Sequence, residues 1–265
     1  MSILKRGLAP FGDNVWEALE DEAKKVFSRR LTSRKIADYE GAKGLEFAAV
    51  GTGRATELKE KLGGVSIGAR EVLKALELKT SFTLKREDID LIERGAKAFD
   101  NSAIAEAARA FSDAENAIVF DGFKKEGIAG ILPSLTQKPV KAQGDDILPA
   151  VAEAIRALRD EGVEGPYALV VQQQYYGKLF SIGDGYPLTK RLSELLDGGK
   201  ALGSTAIKSG ALVISLRGGD YEILGGVDIS LGFEKENAQG AELFFFETLS
   251  FRVNTPEAAV ALQWQ

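Results

Sequence analysis

An α+β fold is predicted, on three observations. Apolar residues recur at three- and four-residue steps through 13–31 and again after Ser102, the spacing of helix faces that pack on a core. Between them Leu76, Leu78, Thr80, Phe82 and Leu84 alternate with Glu77, Lys79, Ser81, Thr83 and Lys85, which describes a strand with one polar side. From residue 147 helical and strand patterns interleave, and from 221 the chain reads as strands. A length of 265 residues is long for one ordinary domain and short for two, so one large domain or two interleaved ones are expected.

The elements follow in chain order. Residues 13–31 form an amphipathic helix with Trp16, Leu19, Ala23, Val26, Phe27 and Leu31 on one face, and Asp13 or Asn14 is positioned to cap it. That face either meets the core or, in part, receives a partner. Residues 50–75 hold Gly51, Gly53, Gly63, Gly64 and Gly68 among charged residues and few large apolar ones, which predicts a long exposed β-excursion, too poor in core to stand alone. The strand at 76–85 is followed by a helix over 86–94, stopped by Gly95, and by a longer helix that puts Ile104, Ala107, Ala108, Phe111, Ala114, Ile118 and Val119 on one face. Glycines and prolines make 127–145 connecting chain. A helix from Ile147 to Leu158, closed by Gly162, precedes a buried strand over Tyr167–Val171. Pro187 starts a helix that ends at Gly198–Gly199, then come a strand over Ala211–Leu216, a turn at Gly218–Gly219, and strands over 221–233 and 241–253. This suggests one module near 146–222 and another built from the N-terminal half plus 223–265.

Composition restricts the chemistry. The chain contains no histidine and no cysteine, which excludes imidazole bases, Ser-His-Asp and Cys-His machinery, thiolate nucleophiles, disulfides and the ordinary zinc and iron–sulfur ligand sets. Thirty-four basic residues against 39 acidic give a net charge of −5, with signs interspersed and no basic–aromatic clusters, so no nucleic-acid partner is expected. No apolar run reaches the roughly 18 residues of a membrane span, and Met1–Arg6 lacks the apolar stretch of a signal peptide, so a cytoplasmic protein is expected. Gly177-Lys178 and Gly199-Lys200 are not followed by the hydroxyl of a phosphate-binding loop, and Gly183-Asp184-Gly185 does not continue as a dinucleotide fingerprint. Asp88, Asp90 and Glu93, and the pair Asp145–Asp146, read as a solvated helix start and a helix cap. Arg217–Asp220 reads as a hairpin turn. An exposed β-arm is physically sensible if a neighbouring subunit covers it, because bare strand edges otherwise aggregate.

A set of segments, in order along the whole chain, resembles the encapsulins, bacterial and archaeal shell proteins. They are Leu4–Pro10, Trp16, Arg34-Lys35, Glu46–Ala49, Phe82–Leu84, Ile92–Gly95, Gly127–Ile131, Glu164–Tyr167, Gly185–Pro187, Arg217–Asp220, Asp228–Phe233 and Glu247–Phe251. The resemblance is weakest over 51–75 and 132–146, and Ser33 and Leu45 depart from the family pattern. It implies the tailed-bacteriophage major capsid fold, with an N-terminal helix and part of a peripheral domain at 1–49, an extended loop at 50–75, more of the peripheral domain at 76–145 and 223–265, and an axial domain at 146–222. It implies a non-enzymatic homo-oligomer forming a closed icosahedral shell, with about 60 subunits or a multiple. Such a shell encloses a cargo enzyme, a ferritin-like iron oxidase or a dye-decolourising peroxidase, recruited by a C-terminal targeting peptide. Carried onto this sequence, the cargo-peptide site comprises Phe27, Leu31, Arg34, Asp38, Val227 and Ile229, and a five-fold pore is lined by Gly183, Asp184, Gly185 and Tyr186. Some members stack a flavin on an aromatic residue; the matching position here is Glu87, which cannot stack, so no cofactor is expected. The alternative functions are a prophage major capsid protein that packages DNA and a carboxylate-dependent hydrolase.

Overall fold

The computed structural model describes residues 3–41, 43–142, 147–180, 182–183 and 186–264. Helix α1 (Asp13–Arg30) and a single turn, α2 (Ser33–Ile36), lead to the short strand β1 (Asp38–Glu40). The long strands β2 (Ala49–Leu62) and β3 (Val65–Lys74) pair with each other alone, around Gly63 and Gly64 at φ +57° and +83°. Strand β4 (Leu76–Lys85) runs into α3 (Arg86–Glu93), and α4 (Ser102–Phe120) follows. A minimal hairpin, β5 (Gly122–Phe123) with β6 (Ile128–Ala129), then the turn α5 (Ile131–Ser134) and β7 (Val140–Ala142), complete the first half. Next come α6 (Leu148–Asp160), β8 (Tyr167–Gln172), α7 (Gln173–Tyr176), the two-residue strands β9 (Ile182–Gly183) and β10 (Tyr186–Pro187), α8 (Leu188–Leu195), β11 (Lys200–Ser204) and β12 (Ala211–Ser215). The chain closes with β13 (Tyr221–Gly225), β14 (Ser230–Asn237), β15 (Gly240–Val253) and β16 (Ala259–Trp264).

Two five-stranded sheets organise these elements. In the first, β15 pairs antiparallel with β4 along one edge and with β14 and then β13 along the other, and β1 extends β13 in parallel. Between Gly225, opposite Leu249, and Ser230, opposite Phe246, the outer strand takes five steps where β15 takes three. The two surplus residues form a bulge. It stays tied to β15 because Gly226 N donates to Thr248 O (2.8 Å) and Thr248 N to Val227 O (3.0 Å). A bulge of this kind turns side chains out of the sheet, and here it projects the segment Val227–Ile229. The second sheet has the order β11-β8-β12-β16-β7, with parallel pairs at its two ends.

Helices α1, α3 and α4 cover the first sheet over a core that includes Trp16, Leu19, Ile89, Ile104, Phe111, Phe82, Leu243 and Phe245. A larger core joins the second sheet to α6 and α8, and reaches Ile223, Leu249 and Phe251 of the first. Leu19, Leu158 and Leu169 are fully buried, which contributes roughly 1.5–3 kcal/mol each. Among the described residues no helix is long and apolar enough to cross a membrane.

Four local expectations change. Gly12, not Asp13 or Asn14, occupies the cap position of α1; its carbonyl accepts from Val15 N at 3.2 Å, and its N–H donates to Glu93 Oε1 at 3.4 Å. The 221–233 strand is broken by the bulge. The turn at Arg217–Asp220 is not a hairpin: it carries the chain from β12 in one sheet to β13 in the other, with Gly218 and Gly219 at φ +87° and +81°. The connecting chain expected at 127–145 carries β6, α5 and β7, and β7 and β16 pair into the second sheet. Strand β16 sits between β12 and β7, and Val260 at its centre is fully buried while Gln263 is exposed. Val260→Asp should therefore cost at least about 4 kcal/mol, by burying an unpaired charge, and abolish recovery of folded protein. Gln263→Asp should leave the yield and the elution volume on size exclusion unchanged.

Candidate functional site

The C-terminal half of α1 faces the bulge across a groove of about 250 Å³. Ala23 and Phe27 form one wall, Ile229 the other, and Phe245 of β15 lies against Phe27 at its base, ring centroids 5.2 Å apart and nearly edge-on at 77°. Phe27 also meets Phe111 of α4 edge-on, so its inner side is held by two rings while the side chain remains half-buried. Polar groups border this apolar strip. Arg6 pairs with Glu20 and its guanidinium lies over Trp16, 4.4 Å from the ring centroid, and Lys24 is close by. The N-terminal segment reaches the groove because Phe233 N, in β14, donates to Leu4 O at 2.8 Å.

One turn beyond α1, Arg34 is the centre of an ion cluster. Its Nε lies 3.1 Å from both carboxylate oxygens of Glu115, its Nη1 2.7 Å from Asp228 Oδ1, and its Nη2 2.5 Å from Glu247 Oε1. Its guanidinium covers the Tyr39 ring at 4.2 Å. Ser33 Oγ donates to Glu115 Oε1 (2.7 Å), and Ser33 N to Asn116 Oδ1 (2.9 Å). Glu115 and Glu247 are fully buried, and Glu247 Oε2 has no partner among the described residues. Three carboxylates thus surround one arginine. Burial, followed by the Glu115 charge, raises the Glu247 carboxyl well above the usual carboxylate range. Burial opposes the charge on Arg34, but Glu115, Glu247 and Asp228 outweigh it and hold the guanidinium protonated beyond its ordinary range.

The sequence-derived site residues divide between these two places. Phe27 and Ile229 meet in the groove. Leu31 is buried, at 7% exposure, and does not line it. Val227 is in the bulge, its N–H donating to Thr248 Oγ1 at 2.8 Å. Arg34 belongs to the ion cluster. Asp38 is exposed and accepts from Gly219 N at 2.5 Å; with Arg34 it borders a different cavity. Ala23 belongs to the α1 face read as open to a partner, whereas Phe245 and the buried acids Glu115 and Glu247 are absent from the sequence-derived site. The acids leave a visible signal, because each interrupts an apolar pattern: Glu115 stands four residues after Phe111, and Glu247 two after Phe245.

Of the loop residues, Asp184 and Gly185 lie outside the described residues, while Gly183 and Tyr186 are backbone partners in the β9–β10 pair. Asp145 and Asp146 also lie outside them. Asp88, Asp90 and Glu93 do not converge: Asp88 is buried and accepts from Asp100 N at 3.0 Å. Among the described residues no group of three or more acidic side chains is arranged to hold a metal ion. The β2–β3 arm exposes Leu58, Leu62, Val65 and Val72, Leu62 at 72%.

Comparison with known proteins gives this geometry a context. Residues 1–250 match the model of a family described as an encapsulating protein for peroxidase. A type 1 encapsulin shell protein of Brevibacterium linens is 36% identical over 265 residues, covering 99% of both chains, and one of Mycobacterium tuberculosis is 34% identical with the same coverage. The crystal structure of a virus-like particle from Pyrococcus furiosus superposes with a TM-score of 0.63 at 19% identity, over 95% of this chain and 98% of that one. The capsid of an empty GTA particle superposes at 0.53 and 13% identity, over 88% and 89%. Helix α1, the long arm, the α4 spine and the two sheets are therefore those of a shell subunit with the tailed-phage major capsid fold. The chain belongs to the type 1 encapsulin shell-protein family; it is a structural shell protein, not an enzyme.

Two outcomes follow from the ion cluster. Arg34→Met leaves Glu115 and Glu247 buried without a counter-charge and should lower stability by about 3–5 kcal/mol in chemical denaturation. Glu247 holds its proton more tightly in the folded protein than in the unfolded chain. Its contribution is complete below the unfolded value of 4.5 and is lost as pH rises through the raised folded value. The thermal midpoint should fall as pH rises through that window, and Glu247→Gln should flatten the fall.

Proposed function

We propose that copies of this chain assemble in the cytoplasm into a closed icosahedral shell of about 60 subunits or a multiple, which encloses a cargo enzyme held by a C-terminal targeting peptide. The observation that carries the docking site is the groove between α1 and the bulge. It offers an apolar strip of Ala23, Phe27, Ile229 and Phe245 with ionic groups at its border, a surface suited to an extended peptide with apolar anchors. Arg34 and Asp228 act behind this site by fixing the bulge relative to the helix that follows α1. Leu31 and Val227 lie beside the two walls, and Asp38, at a different cavity, is left out of the docking site.

The family description names peroxidase, and a peroxidase is accordingly the favoured cargo over a ferritin-like protein. The arm supplies the assembly contact: an isolated two-stranded hairpin is marginal in water, and its exposed Leu58, Leu62, Val65 and Val72 gain a partner when a neighbouring subunit covers them. The loop that carries Asp184 is assigned to a pore admitting small substrates. Co-expression with a peroxidase bearing the peptide tests the docking site. Phe27→Ala and Ile229→Asp should leave shells of wild-type size on size exclusion while lowering co-purified peroxidase at least about tenfold, as expected for the loss of a central apolar anchor. Unchanged loading in intact shells of both variants would assign the peptide to another surface.

A further inference from the structure

A second cleft, of about 440 Å³, opens on another face of α1, between that helix, the start of α4 and the α7–β11 end of the second sheet. Four cationic side chains line it, Lys25, Arg29, Arg30 and Arg109, against one carboxylate, Glu22. In a chain with more acidic than basic residues, this local excess does not come from composition. Lys25 Nζ bonds Glu22 at 2.5 Å, and Asn101 Nδ2 donates to the other oxygen of Glu22 at 2.7 Å. Arg30 is held by Asp113 through two bonds of 2.9 and 2.7 Å, and Thr205 Oγ1 donates to the same carboxylate at 2.7 Å. Arg29 and Arg109 remain; both are exposed, and neither guanidinium has a partner among the described residues. Positive charge continues past the edge of the cleft. Lys35 Nζ donates to Arg29 O at 3.2 Å, and burial followed by the charge of Lys200 holds its ammonium below the ordinary lysine range.

We propose that this cleft binds a phosphate oxyanion between the guanidinium groups of Arg29 and Arg109. A guanidinium presents its N–H groups as a planar fork that matches two oxygens of one anion. A carboxylate has only two oxygens and satisfies one such fork. A phosphate has three or four, enough for both. The volume exceeds what orthophosphate fills and leaves room for the organic part of a phosphate monoester. Arg30 stays with Asp113 and sets the positive wall without contacting the ligand. This site is separate from the Phe27–Ile229 groove and does not rest on the cargo reading.

Calorimetric titration of the purified, assembled protein tests the site, with orthophosphate and AMP in separate arms at one ionic strength set by chloride. Saturable binding is expected in at least one arm; binding of both assigns the site to phosphate itself, and binding of AMP alone to a monoester. Arg29→Gln with Arg109→Gln should weaken it at least about tenfold, as removal of charge-assisted hydrogen bonds does. The milder pair Arg29→Lys with Arg109→Lys keeps the charge, and should weaken binding less. Arg156→Gln, which removes an exposed pair with Asp160 on α6, should leave it unchanged. No saturable binding of either anion up to about 10 mM, a concentration that would nearly fill a site with a Kd of about 1 mM, would overturn the proposal. So would equal affinity in the Arg29/Arg109 double variants and the wild type.

Discussion

The groove and the ion cluster both depend on the register of one strand, β15. Successive side chains of a strand face opposite ways, and the odd-numbered residues of β15 face the helices. Leu243 and Phe245 enter the core beneath α1 and α4. Glu247, two residues on, meets Arg34 and lies beside Glu115. Leu249 and Phe251 then join the larger core. On the other face Phe244 lies under Lys79, 4.2 Å from its ammonium. A slip of one residue would exchange these faces: Phe244 or Phe246 would take the place of Phe245 under Phe27, but the acid opposite Arg34 would be lost. The register is fixed on both edges: β4 pairs with ten consecutive residues of β15, from Gly240 to Leu249, and β14 and β13 hold the other side on either flank of the bulge.

The ion cluster links the parts that this register brings close. Arg34 comes from α2, Glu115 from α4, Glu247 from β15 and Asp228 from the bulge. Removing two carboxylates and a guanidinium from water costs about as much as their mutual attraction returns, so the cluster adds little net stability. Its effect is positional. Asp228 adjoins Ile229, and Arg34 follows α1 by four residues, so the ion pair between them sets the spacing of the two groove walls. Hydrogen bonds from Ser33 and Asn116 confine it further: Asn116 Nδ2 donates to Arg30 O at 2.9 Å, which ties the end of α1 directly to α4. Arg30, whose carbonyl is held in this way, also lines the basic cleft, where its guanidinium pairs with Asp113. One helix terminus therefore positions an apolar surface on one face and a cationic surface on another.

Elements whose pattern is local were legible in the sequence. The period of α1, the alternation of 76–85, the stop at Gly95 and the glycine-punctuated arm at 50–75 depend on residues close to one another in the chain. Sheet membership does not. Ala259–Trp264 carries an ordinary apolar strand pattern that says nothing of whether it joins β15 or inserts beside β12, and the decision rests on contacts some fifty residues away in sequence. Arg217–Asp220 failed for the same reason, because two positive-φ glycines serve a hairpin and a crossing between sheets equally well. Within the site, Phe27 and Ile229 came from resemblance to a family and do line the groove. Arg34 came from the same source, but its three carboxylate partners lie 81, 194 and 213 positions away, beyond any spacing rule. Glu115 and Glu247 were readable only as anomalies, acids placed where the pattern asks for apolar residues.

The arm differs from all of this in what holds it. Around β15 each large apolar side chain is covered by the chain itself. On β2 and β3 the side chains of Leu58, Leu62 and Val65 are left in water, and the hydrogen bonds close only between the two strands. At its base Lys74 Nζ reaches Glu126 at 2.7 Å, an exposed pair worth at most about 1 kcal/mol. A subunit built this way completes its central sheet alone and leaves the outer hairpin energetically unfinished. In the proposed assembly, burying these side chains on a neighbour would lower the free energy of the pair and leave the strand that shapes the groove as it is. On the function proposed above, assembly and cargo docking draw on different parts of the subunit, the exposed arm for the first and the α1–bulge groove for the second.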